Sequence, residues 1–186
     1  MLLSRRRSHL NLPTALGLGL GVGLGLGLVL TLTQAHAQAT QSGPVSGLPM
    51  PRFVSLKSDR VNLREGPSKE HRTAWVFQRA GLPVEIIAEF DNWRRIRDVE
   101  GAEGWVLHSL LSGRRTAIVA PWRKTEAQIL RASAAADAGA VAKLESGLVV
   151  NVRRCDKVWC RISARGYDGF IEQKLLWGVY VGEGIP

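Results

Sequence analysis

The sequence predicts an all-β protein, built as two tandem small antiparallel barrels that follow a cleaved signal peptide and a flexible leader. Three observations carry this. First, the stretch from Val61 to Leu111 recurs in altered form between Gln128 and Leu176, about 66 residues further on. Second, apolar runs are short, alternate at period two and are separated by turn residues, the pattern of strands joined by hairpins. Third, few periodic runs are long enough for a helix. A fixed repeat of this length fits two copies of one supersecondary unit. In the repeat, Leu63-Arg64 returns as Leu130-Arg131, and Gly81 as Gly147. Trp93-Arg94-Arg95-Ile96 returns as Trp159-Cys160-Arg161-Ile162, and Gly104-Trp105-Val106 as Gly169-Phe170-Ile171.

Residues 1–37 read as a targeting device. Arg5-Arg6-Arg7 form a basic start, Ala15 to Leu32 an apolar Leu/Gly stretch, and Ala35-His36-Ala37 a small-x-small cleavage pattern. Cleavage falls between Ala37 and Gln38, and alternating glycines weaken the rival reading of a retained membrane anchor. No stable membrane span is expected afterwards. Residues 38–51, rich in Gln, Ser, Gly and Pro, read as a flexible leader. The chain carries a formal charge of +9, three charges of which lie in Arg5-Arg6-Arg7.

The first barrel is expected over residues 52–120. Val61-Asn62-Leu63 alternates and stops at Glu65-Gly66-Pro67, a turn. Ser68 to Arg72 reads as an exposed loop, and Trp75 to Gln78 as a short strand or bend. Gly81-Leu82-Pro83 turns the chain into Val84–Glu89, Phe90-Asp91-Asn92 makes a hairpin, and Trp93–Val99 returns. After a turn at Glu100–Gly104, Trp105-Val106-Leu107 is a strand, His108 to Leu110 a 3₁₀ turn, and Arg115–Ala120 the closing strand. The second barrel is expected over residues 121–186, with Pro121 to Ala127 as its first strand or the approach to it, since Trp122 falls where Leu56 stands in the first copy. The Ala-rich Ser133 to Ala142 is expected as a loop, and Trp177 with Tyr180 as a seal between the barrels. Units of roughly 60 residues are marginal alone, so mutual packing or a staple is expected.

Several of these residues together resemble the bacterial SH3 domain family. The Val-Asn-Leu-Arg-x-Gly-Pro opening at Val61, the Gly-x-Pro-Val start at Gly81, the hairpin Trp93 and the closing Gly104-Trp105-Val106 carry the likeness. The second copy is similar but degenerate, with Ala132-Ser133 in place of the Glu-Gly-Pro turn and Phe170 in place of Trp105. Its Cys155 to Ile162 run resembles a disulfide-bearing subset of the family. The resemblance implies two tandem SH3-like barrels (SH3b modules) and a ligand in the cell envelope: peptidoglycan stem peptides or a peptide segment of an envelope protein. The alternative is a periplasmic structural or regulatory module that holds another protein and ignores the wall.

Cys155 and Cys160 are the only cysteines, and an even count in an oxidising compartment points to a disulfide. A free thiol pair and half of a metal site are the alternatives, although His71 and His108 offer no paired ligand spacing. In the repeat, Cys155 stands where Glu89 does and Cys160 where Arg94 does, so each pair is expected to clamp the same hairpin. Alternation from Val152 and Ile162 does not set the cysteines opposite each other; a bulge in the turn would repair the register. Trp75 aligns with Val141, so the fold does not demand an aromatic there, and the surface around Trp75, Arg94 and Arg95 is the expected binding site. Trp93, Trp105 and Trp159 read chiefly as core fillers. The arginine clusters at Arg94–Arg97, Arg114–Arg115 and Arg153–Arg154 suit either a solvated face or acidic envelope material. A pI near 10.4 suits nucleic acid too, but export argues against it. Catalysis lacks parts: no nucleophile with an assignable base, no metal-ligand set, no phosphate-cradling loop. The expectation is a periplasmic or secreted binding protein with no catalytic residues, no metal and no cofactor.

Overall fold

The computed structural model describes residues 41–186. The expected signal peptide, the Ala37–Gln38 cut and the start of the leader lie outside the described residues. The described residues belong to one compact unit. Among the described residues no helix is long and apolar enough to cross a membrane.

The part of the leader that is described is not open coil. β1 (Gln41–Ser42) and β2 (Pro49–Met50) pair antiparallel as a small hairpin. Its turn is collected by a carboxylate of the first barrel, described below.

The first sheet comprises β3 (Arg52–Leu56), β4 (Val61–Arg64), β5 (Thr73–Phe77), β6 (Pro83–Phe90), β7 (Trp93–Arg97), β8 (Glu103–Leu107) and β9 (Leu111–Ser112). Their order across the curled sheet is β5-β4-β8-β7-β6-β3-β9. The second sheet comprises β10 (Thr116–Val119), β11 (Gln128–Arg131), β12 (Ala140–Leu144), β13 (Val149–Asp156), β14 (Trp159–Ala164), β15 (Tyr167–Glu172) and β16 (Leu176–Trp177). Its order is β12-β11-β15-β14-β13-β10-β16, so every strand sits where its counterpart sits in the first. β17 (Gly184–Ile185) then adds to β13, with Cys155 opposite Ile185. The single 3₁₀ turns at His108–Leu110 and Gln173–Leu175 occupy matching places. Two tandem SH3-like folds are thus present as one topology used twice.

The boundary between them differs from the expectation. Thr116–Val119 is not the closing strand of the first barrel; it opens the second, pairing with β13 and β16. The first barrel is already closed by β9 on β3. All four residues of β10 are buried, and Ala117 and Val119 belong to the second core with Leu130, Val150 and Ile162. Val119, not Trp122, therefore stands where Leu56 does: they face Leu176 and Leu111 respectively. Pro121 to Ala127 contains no strand, and Trp122 is 55% exposed. The Ala-rich segment bends over residues 133–137 and then enters β12.

The Gly-aromatic-apolar motif in each copy has a steric origin. At Gly104 a Cβ would stand 2.8 Å from the Arg64 carbonyl oxygen and against Leu63. At Gly169 the same atom would stand 2.6 Å from the Arg131 carbonyl oxygen and against Leu130. Only glycine lets β4 cross β8, and β11 cross β15, at this closeness.

Aromatic contacts seal the two barrels, as expected for Trp177 and Tyr180. Phe53 of β3 packs edge-on to Trp177 at 5.2 Å and against Tyr180 at 4.7 Å. The Tyr180 hydroxyl donates to Glu85 at 2.8 Å. Burial, reinforced by that hydrogen bond, raises the Tyr180 pKa well above the usual phenol range. Arg115 donates twice to Glu183, at 2.7 and 3.0 Å, and once to the Gly178 carbonyl.

Candidate functional site

The two hairpins that the repeat brings into correspondence are clamped in two ways. In β6–β7, Glu89 faces Arg94, with Arg94 Nε 3.4 Å from Glu89 Oε1. In β13–β14, Cys155 faces Cys160 and the two form a disulfide. The required bulge is present, and at equivalent places: Ile87 is skipped between Ile86 and Ala88, and Arg153 between Val152 and Arg154. It lies in the strand rather than in the turn.

Glu89 does more than face Arg94. It accepts hydrogen bonds from the amides of Val45 and Ser46 (3.1 and 2.8 Å), the Ser46 hydroxyl (2.7 Å) and Arg52 (2.7 Å). Burial alone would raise its pKa, but the hydrogen bonds from Ser46, Arg52 and Val45 outweigh burial and hold it at about 2. The leader turn is therefore fastened to an ionised carboxylate in the barrel wall.

This arrangement corrects one expected site residue. Arg94 is not a surface group: it is 6% exposed and donates to the carbonyls of Asp91 and Trp93, both at 2.8 Å. Arg95 is half-exposed and ion-paired to Glu103 at 2.9 Å. Trp75 is 61% exposed on the edge strand β5. Trp75 is in register with the core residue Leu63, whereas Arg95 is in register with Trp105 on the outer face. Trp75, Arg94 and Arg95 thus occupy an inner-face edge, the interior and the outer face, and do not converge.

What the two copies do share is a cleft of about 260 Å³ beside the loop between their first two strands. In the first copy it is lined by Arg60, Asn62, Arg64, Lys69, Trp93, Leu107 and Leu110. In the second, Arg131, Trp159, Glu172 and Leu175 stand at the places of Arg64, Trp93, Leu107 and Leu110. The repeated arginine has a structural role in both copies. Arg64 donates to the carbonyls of Lys69 and His71 (3.0 and 2.7 Å), and Arg131 to that of Ala138 (2.8 Å). Each guanidinium ties down its loop while leaving its charge at the cleft.

The clefts differ in charge. Among the described residues, three cations and no carboxylate line the first, and its apolar wall is Trp93, Leu107 and Leu110. In the second, Lys174 is paired with Glu172, and Arg123 with Glu126. Electrostatic attraction for a carboxylate ligand is therefore concentrated in the first copy. Trp93 is buried as its core reading has it, 8% exposed, and Trp159 is half-buried, so neither ring signals the cleft that it lines. The available signal is the joint recurrence of Arg64 with Trp93 as Arg131 with Trp159.

Among the described residues no group of three or more His, Cys, Asp or Glu side chains could hold a metal ion. His108 is exposed, and His71 packs beside Gly66.

The family model described as bacterial SH3 domain matches residues 57–113 and again residues 124–178. The chain belongs to the bacterial SH3 domain family. Both matches begin after the opening strand of their barrel, β3 or β10, and each contains the arginine and the tryptophan of its cleft. Two solved structures from Trichomonas vaginalis are similar to this bacterial SH3 pair. NlpC2 is 13% identical, with a TM-score of 0.31 over 68% of this chain and 48% of that one. NlpC1 is 14% identical, with a TM-score of 0.32 over 72% of this chain and 48% of that one. The chain spans about half the length of each, and likeness at this level bears on neither fold nor site. Comparison with curated proteins returns no match.

Proposed function

We propose that this bacterial SH3 pair is an exported, non-catalytic binding module of the cell envelope. Its first copy holds a carboxylate-bearing peptide, a peptidoglycan stem peptide, in the Arg60–Arg64–Lys69 cleft. The observation that carries this reading is a cleft with three cations, no acid and an apolar wall. Carboxylates of the ligand pair with Arg60 and Lys69, each such charge-assisted contact contributing roughly 1.5–3 kcal/mol before the cost of association. Aliphatic parts of the peptide lie on Trp93 and Leu110. The disulfide and the basic surface suit an oxidising compartment with an acidic partner.

Retention on purified sacculi tests the reading. The Arg60→Ala/Lys69→Ala double variant is expected to lose retention at least tenfold relative to wild type. Arg95→Ala and Trp75→Ala report whether their separate faces also touch the wall. Undiminished retention of the double variant would sink the cleft as the site.

A second reading, a protein partner with no wall binding, is favoured by one surface. Val45, Leu48 and Phe90 are each more than half exposed where the leader turn meets the β6–β7 tip. Cross-linking in intact cells separates the two: a single dominant protein adduct without sacculus retention supports the partner.

A further inference from the structure

A different cleft, of about 170 Å³, lies where the first barrel meets β10 of the second. Its floor is apolar, from Phe77 and Leu82 of the first barrel and Ile118 of the second. Trp75 stands at its side, 61% exposed. Among the described residues, the only charged ones that line it are Asp98 and Glu100. On a chain of formal charge +9, this is a small region of opposite sign. Asp98 Oδ1 accepts the amides of Glu100 and Ala102 at 3.0 and 2.8 Å, which fixes the carboxylate and leaves Oδ2 for a ligand. Glu100 is exposed and has no ion pair among the described residues.

The second copy shows that the fold does not require this set. Its counterpart cleft keeps an apolar floor in Leu144 and Leu148. Ala142 takes the place of Trp75, being the residue in register with Leu130 as Trp75 is with Leu63. Ala164 follows β14's Ser163 as Asp98 follows Arg97, and the turn carries Arg165, a cation, where the first copy has Glu100. Tyr167 and Glu145 line the second cleft from other positions, beside the cations Lys143 and Arg165, so an acidic lining without a cation belongs to the first copy, where the indole is left exposed.

We propose that this cleft binds a lysine-type side chain of a peptide partner. Its volume, about 170 Å³ against about 260 Å³ for the Arg60–Arg64–Lys69 cleft, suits a single side chain. An aliphatic stem suits the Phe77–Leu82–Ile118 floor. The ammonium at its end then meets the Asp98 and Glu100 carboxylates and the face of Trp75, by ion pairing and cation–π attraction. The cleft's occupant is independent of what the Arg60–Arg64–Lys69 cleft holds.

The test follows the Trp75 indole N–H resonance of the mature chain during titration with acetyl-Gly-Lys-Gly-amide, the signal being assigned with Trp75→Phe. A saturable shift is expected, at least fivefold weaker with norleucine or arginine in place of lysine. Glu100→Gln, an exposed change that leaves the fold intact, is expected to weaken the lysine peptide at least fivefold. The Arg60→Ala/Lys69→Ala variant should bind it unchanged. Absence of a saturable shift, equal affinity for the norleucine peptide, or full affinity in Glu100→Gln would each overturn the proposal. A stronger arginine response would redirect the cleft to a guanidinium and overturn it as stated.

Discussion

Glu89 concentrates more of the first barrel's polar structure than any other side chain described. It sits beside two arginines, Arg52 and Arg94, and under the leader turn that it anchors. Removing its charge strands a buried guanidinium, so Glu89→Gln is expected to cost about 3 kcal/mol and to release residues 41–50. Urea unfolding and amide exchange of Val45 and Ser46 check the two effects. The carboxylate's pKa is depressed from an ordinary 4.5 to about 2. Its contribution is therefore complete above the unfolded value and disappears as pH falls from about 4.5 through 2. A stability profile over that window should flatten in Glu89→Gln. Gly104 is the other position where one atom decides. Gly104→Ala drives a Cβ into the Arg64 carbonyl and should cost about 1–3 kcal/mol by thermal unfolding, with Gly169→Ala showing the same sign.

At the scale of elements, the clamped hairpin is where sequence and structure agree most closely. The alignment of Cys155 with Glu89 and of Cys160 with Arg94 needs only the repeat, and the bulge needs only the clash between alternation and pairing. The disulfide closes a very short loop, so Cys160→Ser is expected to lose about 2 kcal/mol in the chain-entropy account. An intact wild-type chain should show no alkylatable thiol without reductant. Other elements are less legible, for physical reasons. The run Thr116–Val119 ends in three consecutive apolar residues, Ala117 to Val119, with no alternation to say which sheet it joins, so it reads equally as an end or a beginning. Residue spacing carried back from Gly81 and Gly147 aligns Trp75 with Val141, one residue short of Ala142, because the turn after β12 is one residue shorter than the turn after β5 and spacing does not show where that residue is lost. Arg94 reads as a surface residue beside Arg95, but the strand turns adjacent residues to opposite faces and the clamp draws it inward. The cleft around Arg60 and Lys69 depends on how a loop folds back on a strand, which no spacing encodes.

For the molecule as a whole, the contacts of Phe53 with Trp177 and Tyr180, and of Arg115 with Glu183, bind two marginal units into one. Wild type is expected to unfold in a single calorimetric transition with matching van't Hoff and calorimetric enthalpies. Phe53→Ala should cost about 3–5 kcal/mol and separate or broaden that transition. Tyr180→Phe removes one hydrogen bond to Glu85 and should cost about 1 kcal/mol while leaving the transition single.

Only residues 113–115 separate β9 from β10, and that connection sets what the pair can grip. Most tandem modules hang on tethers and search a volume for their second epitope. Here nothing slack remains, so the molecule behaves as a caliper: a target whose two features match its jaws gains the full advantage of local concentration, and one that is mismatched gains none. Splicing a run of Gly and Ser after Ser112 would turn the caliper into a flail, trading selectivity for spacing against reach.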